Sequence, residues 1–154
     1  MEQKTKIHAG EGKQELVITR EFHLPLELLF KAYSETELVE QWMGTKVIKL
    51  ENRNHGSYQF ETSHNGTVVF KANGTIHKYV PNQKIIRTFE IENMSIGVQL
   101  EFLEFEKLSD DTSKLTMQII YRSEKHRAEQ LKLPFANGLN MAHDRLQEVL
   151  TNLK

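Results

Sequence analysis

The spacing of apolar residues changes three times along the chain. Glu15–Phe22, ELVITREF, alternates and is rich in β-branched and aromatic residues, so it reads as a strand. A shorter strand, TKIHA, precedes it across an AGEGK turn. The spacing then lengthens: Leu26, Leu29, Phe30 and Tyr33 fall at i, i+3, i+4 and i+7, one face of a helix. Pro25 suits its first position, where a missing N–H costs nothing. Ser34 and Glu37 have the spacing of a capping box, which starts a second helix. That helix carries the i,i+4 pairs Leu38–Trp42 and Val39–Met43, and Gly44 can close it in the left-handed conformation. Both helices are too short to stand alone and must be held by what they pack on.

From Lys46 to Ser123 the period falls to two, broken by the turn signals NRNHG, SHNG, PNQ, NMSIG and SDDTS. Tyr58/Phe60, Val68/Phe70, Ile85/Phe89/Ile91, Val98/Leu100/Phe102 and Leu115/Met117/Ile119/Tyr121 alternate with polar partners. This is the pattern of an antiparallel sheet with one buried face. In VQLEFLEFEKL the apolar phase slips between Phe102 and Leu103, which predicts a bulge. The chain closes with a third helical pattern from Pro134, in which Phe135, Leu139, Ala142, Leu146, Val149 and Leu153 step by three and four. Run to Lys154, it would be roughly 30 Å long. The sum is an α+β fold occupying 1–154 as a single domain, a curved antiparallel sheet around a long C-terminal helix.

Composition narrows the chemistry. Twenty Lys and Arg stand against 21 Asp and Glu, with no long run of one sign, so nothing points to nucleic acid or an anionic membrane surface. There is no cysteine, hence no disulfide and no thiol chemistry. The opening MEQKTKIHAGEGKQ is polar and holds no signal-peptide core, and no stretch approaches the roughly 20 apolar residues of a membrane span. The expectation is a cytoplasmic protein, either a monomer or a homodimer.

Seven histidines raise the question of a metal, but no two stand i,i+4 and no HExxH occurs, so neither a metal nor a cofactor is expected. AGEGK has neither the GxGxxG nor the P-loop spacing, and no GxSxG elbow marks a nucleophile. His143 lies at the edge of the apolar face of the last helix, where it is either a boundary residue anchored by a neighbour or a polar group in a cavity. Asp144 and Arg145 read as solvated. Gly138 interrupts the same helix at a cost of about 1 kcal/mol relative to alanine, which close packing or deliberate space would justify. The aromatic set Trp42, Tyr58, Phe60, Phe70, Phe89, Phe102 and Tyr121 can be core or can line a pocket.

The stretch ELVITREFHLPLELLFKAYSETELVEQWMG resembles the opening of bacterial homologues of the heat-shock ATPase activator C-terminal domain, a family of the START-like (Bet v, SRPBCC) superfamily. The resemblance rests on Arg20, Phe22, Pro25, Phe30, Lys31, Ala32, Trp42 and Gly44. It continues through GSYQF, Gly66, Gly74, VPNQKIIRTFE and NGLNMAHDRLQEVL. It implies the helix-grip fold, in which a seven-stranded antiparallel sheet wraps a long C-terminal helix and two short helices after the first strand close one end. The chain departs from the family pattern at Met43, Thr45, His55, Lys78 and Leu139.

The resemblance also implies a space between the long helix and the sheet that takes a small hydrophobic, lipid-like ligand. Trp42, Phe60, Phe70, Phe102, Tyr121, Leu139 and His143 are the candidate ligand-binding residues. Two alternatives stand beside this reading. One is a protein-interaction module like the chaperone-ATPase activator. The other is a cyclase- or hydrolase-type enzyme using His143 or Tyr121 as an acid or base, although no catalytic motif marks one.

Overall fold

The computed structural model describes residues 4–10, 13–132 and 134–154. The first strands, β1 (Lys6–His8) and β2 (Glu15–Phe22), pair antiparallel, as the alternation predicts. The AGEGK turn between them falls partly outside the described residues. Two helices follow, α1 (Leu26–Ser34) and α2 (Thr36–Met43). Next come β3 (Lys46–Leu50), β4 (Ser57–His64), β5 (Thr67–Val80), β6 (Lys84–Ile91), β7 (Val98–Lys107) and β8 (Ser113–Ile120). The chain ends in α3 (Glu124–Lys132) and α4 (Phe135–Thr151). Among the described residues the sheet has eight strands in the order β1-β2-β8-β7-β6-β5-β4-β3, all antiparallel, curved and unclosed. The strand beyond the expected seven is β1.

The break between α1 and α2 is one residue long. Glu35, in extended backbone, donates its N–H to the Lys31 carbonyl and so closes α1. Its own carbonyl accepts the N–H groups of Leu38 and Val39 and opens α2. No side chain caps either helix start, so the predicted Ser34–Glu37 capping box does not form. Ser34 ends α1 instead, and its carbonyl takes Asn52 Nδ2 at 2.6 Å. Pro25 sits one position earlier than predicted, as the N-cap whose carbonyl accepts Leu28 and Leu29. Gly44 closes α2 at φ 65°, the left-handed conformation that favours glycine. Asn65 and Gly66, both at positive φ, turn β4 into β5 as the SHNG signal predicts.

Strand register decides which side chains face α4. Leu16, Ile18, Arg20 and Phe22 of β2 lie inward, opposite Ile119, Met117, Leu115 and Ser113 of β8. The expected bulge at Phe102/Leu103 is absent, because β7 pairs without a shift with both β6 and β8. Gln99, Glu101, Leu103 and Phe105 form its buried face, whereas Val98, Leu100 and Phe102 point outward. The shifts fall elsewhere, between Val47 and Lys49, Thr62 and Ser63, and Ile76 and Lys78.

The last helical region is divided. The nine-residue α3, unpredicted from the sequence, precedes α4, whose 17 residues span ~25 Å rather than 30 Å. The deepest residues of α4 are His143, Leu146 and Leu150. Phe135, Leu139, Ala142 and Val149 are half-buried against the core, and Leu153 lies beyond the helix and is exposed.

Candidate functional site

The short helices and the long one meet at Trp42. Its indole N–H donates to the Ala32 carbonyl at 2.7 Å, and its ring packs on Tyr33 at 5.1 Å between centroids. Arg145 of α4 donates from Nε to the Trp42 carbonyl at 3.1 Å. This joins α4 to the α1–α2 joint and explains why Arg145 is not simply solvated. With α2 fixed in this way, its Val39, Trp42 and Met43 face the space between α4 and the sheet.

That space is a cavity of about 360 Å³. Phe135, Gly138, Leu139 and Ala142 of α4 form its roof. Its floor is the inward sheet face, with Ile18, Met117 and Ile119 at one side and Phe60 and Phe70 at the other. Between them stand Arg87, Phe89 and Ile91 of β6 and Gln99 and Glu101 of β7. A methyl group at Gly138 would meet nothing within 4 Å, so the glycine leaves open space and is not a packing device.

The polar part of the floor follows from register. Arg87 and Glu101 are direct cross-strand partners, and Arg87 Nε donates to Glu101 Oε1 at 2.9 Å. Gln99 Nε2 donates to the other carboxylate oxygen at 2.8 Å. The Arg87 and Glu101 side chains are 12% and 5% exposed, so the ion pair is largely out of water. The Arg87 guanidinium lies 5.1 Å from the ring centre of Tyr58, whose hydroxyl donates to the Thr88 carbonyl. Burial acts against the Arg87 cation, but Tyr58 and Glu101 more than offset it and hold its pKa above the ordinary value. Burial pushes the Tyr33 and Tyr58 phenols above their usual value, with Arg87 opposing it. At neutral pH this floor is a fixed ion pair among neutral phenols.

A second polar network lies under the other half of α4. Arg20 Nη2 meets Asp144 Oδ1 at 2.8 Å, and its Nη1 reaches Thr5 Oγ1 and Asn140 Oδ1, each at 3.3 Å. Thr5 Oγ1 also bonds His143 Nδ1 at 2.7 Å. His143 is fully buried, its Nε2 has no partner, and its ring packs on Phe22. Burial, then Arg20, pull its pKa down to about 3 against the opposing pull of Asp144, so the imidazole is neutral. Asp144 is exposed, as expected, and also anchors Arg20.

Of the candidate residues read from the sequence, Trp42, Phe60, Phe70 and Leu139 lie on the cavity wall. Phe102 lies on the opposite sheet face, paired with Ile86 and Gln118, because the inward phase of β7 is the odd-numbered one. Tyr121 and His143 are buried but do not line the cavity, and the Tyr121 hydroxyl has no partner. Arg87, Gln99 and Glu101 were missed. The signal was present: Arg87 occupies the inward phase of Ile85, Phe89 and Ile91, with an acid opposite it. Among the described residues no three His, Cys, Asp or Glu side chains are grouped to hold a metal ion. Among the described residues no helix is long and apolar enough to cross a membrane.

Residues 23–151 match the family model described as Activator of Hsp90 ATPase homolog 1-like protein. The chain belongs to that family. Solved structures of the same fold include a Rhodobacter sphaeroides protein, 20% identical over 97% of this chain and 100% of its own, with a TM-score of 0.82. A Mycobacterium smegmatis protein is 18% identical over 96% of both chains, at 0.84. An Arthrobacter aurescens protein solved by NMR is 13% identical over 96% of this chain and 91% of its own, at 0.84. No curated protein matches the chain. Family membership accounts for the helix grip: the α1–α2 joint supports α4 over the sheet and leaves space between them.

Proposed function

We propose that this family member binds a small, mostly apolar molecule between α4 and the sheet. The observation that carries the reading is the 360 Å³ cavity in a core whose other large side chains are almost wholly buried. Small-molecule sites span about 300–1,000 Å³ and combine apolar walls with a few placed polar groups. Here Trp42, Phe60, Phe70 and Leu139 supply apolar wall, and Arg87 with Glu101 supplies the polar floor. A domain selected for stability alone would fill such a void, because each missing contact costs packing energy. Leu139 and Gly138 stand where larger side chains would narrow the space.

The test is incubation of the purified protein with a bacterial lipid extract, followed by native mass spectrometry. Retention of a stoichiometric small molecule, and saturable 1:1 uptake of the neutral probe N-phenyl-1-naphthylamine, are expected. An empty protein that takes up no probe but pulls down a chaperone would overturn the reading and favour an interaction module, in line with the family description.

A further inference from the structure

Arg87 keeps part of its hydrogen-bonding capacity unused. Its Nε is committed to Glu101, but among the described residues nothing accepts from Nη1 or Nη2. Neither nitrogen belongs to the set of fully enclosed, partnerless atoms, which comprises Arg20 Nε, Tyr121 Oη, Arg127 Nε and His143 Nε2. Both therefore border free space, and the free space Arg87 borders is the cavity. Glu101 is in the opposite condition. One oxygen takes Arg87 and the other takes the Gln99 amide, so it has little left to offer a ligand.

The charges on the wall decide what those two nitrogens can receive. Arg87 and Glu101 are its charged residues among the described ones, and they cancel. An anionic ligand would bring an uncompensated charge against a mostly apolar wall, which costs far more than placing a neutral acceptor there. A pure hydrocarbon would leave the guanidinium's N–H groups without water or partner, which also costs. An uncharged molecule with an acceptor oxygen avoids both penalties.

Resting on the cavity reading above, we infer that the ligand is an uncharged, mostly apolar carbonyl compound whose oxygen accepts from the Nη1 and Nη2 groups of Arg87. The Glu101–Gln99 pair holds the guanidinium in register, and the Tyr58 ring supports its face at 5.1 Å. The apolar body then lies toward Leu139 and Phe70.

Three fluorescent probes on one scaffold test this: 2-(dimethylamino)naphthalene bearing at position 6 a propionyl group, a propyl group or a carboxylate. The wild type should bind the ketone about tenfold tighter than the propyl probe. That is the factor an added hydrogen bond of ~1.4 kcal/mol produces. The carboxylate should bind more weakly than the ketone. Arg87→Met alone would strand the Glu101 charge, so the informative variant is Arg87→Met/Glu101→Leu, which should lose the preference and bind ketone and propyl probes alike. Equal affinities in the wild type would overturn the carbonyl inference while leaving the cavity reading standing. Tightest binding of the carboxylate, lost in the double variant, would overturn it in favour of an anion. Failure of all three probes to bind saturably would sink both readings. The wild-type ranking decides the matter even if the variant does not fold.

Discussion

Gly74 lies on β5 directly opposite Tyr58 of β4, and the Tyr58 side chain crosses over it to donate its hydroxyl to the Thr88 carbonyl on β6. A methyl group added at Gly74 would stand 2.5 Å from Tyr58 Oη, 2.6 Å from its Cζ, and well inside contact distance of the Thr88 oxygen. Backbone cannot yield cheaply, so the phenol must move or the strands must part. Overpacking of this kind costs about 1–3 kcal/mol. Losing the Tyr58–Thr88 hydrogen bond adds about 0.5–1.5 kcal/mol. The reduced freedom of the unfolded chain returns about 0.4–1 kcal/mol. Gly74→Ala should therefore destabilise the protein by about 2 kcal/mol, read as a lower urea midpoint at unchanged slope. For a domain of this size that is roughly 4–8 °C in Tm. Tyr58→Phe, which removes only the hydroxyl, should cost about 1 kcal/mol. In that background Gly74→Ala should cost less than it does alone, because one of its collisions is gone. A Gly74→Ala protein within 0.5 kcal/mol of wild type would refute the account of how the cavity floor is built.

Trp42→Ala should cost ~3–5 kcal/mol, the range for truncating a buried aromatic, and a wild-type emission spectrum typical of a water-exposed indole would contradict this. Gly138→Ala should raise stability by up to about 1 kcal/mol, since the helix gains and no atom lies in the way; destabilisation in urea melts would show a contact there. Leu139→Trp should fill part of the cavity and weaken N-phenyl-1-naphthylamine uptake at preserved stability, whereas a loss of ~1–3 kcal/mol with unchanged uptake would mean overpacking without a usable pocket. His143 binds its proton near pH 3 when folded against 6.5 as the ordinary value. The unfolded chain is thus the better proton acceptor between them, and stability should fall with acid by up to ~1.4 kcal/mol per pH unit below about 6.5. His143→Gln should flatten that part of the pH–stability curve, and superimposable curves would show that His143 is not the group responsible.

Much of the architecture was written in the period of the apolar residues. The strict alternation of β2 and β8, the Pro25 start and the Gly44 stop fix the order of strands and helices. Two features were not legible, each for a physical reason. EKHRAEQLK carries no apolar stripe, and what α3 buries is Arg127 and Gln130, so periodicity had nothing to register. In β7 alternation separates two faces without saying which is inside. The strand shows Val98, Leu100 and Phe102 outward and buries Gln99 and Glu101, an inversion that only its pairing with Arg87 resolves. The candidate site was legible in its apolar walls and only in part in its polar floor: Arg87 shares the phase of Ile85, Phe89 and Ile91, but the inversion of β7 hid Gln99 and Glu101.

The inward face of the sheet carries two arginines, and their different bonding explains why one end of α4 is closed and the other is not. Arg20 has both terminal nitrogens bonded, to Thr5, Asn140 and Asp144, and Gln147 of α4 adds bonds to the His23 backbone N–H at 2.9 Å and carbonyl at 3.3 Å. This stretch, Asn140 to Gln147, is tied to β2 and its exit at each turn, although Arg20 Nε and His143 Nε2 stay enclosed without a partner. Among the described residues the preceding turn, Phe135 to Leu139, makes no such bonds to the sheet and roofs the cavity instead. Beneath it Arg87 has Glu101 as its one hydrogen-bond partner among the described residues. Burying a cation with donors unmet is costly: among the described residues the terminal nitrogens of Arg20 are met from within the chain, whereas those of Arg87 face the cavity, where the carbonyl oxygen proposed above would meet them.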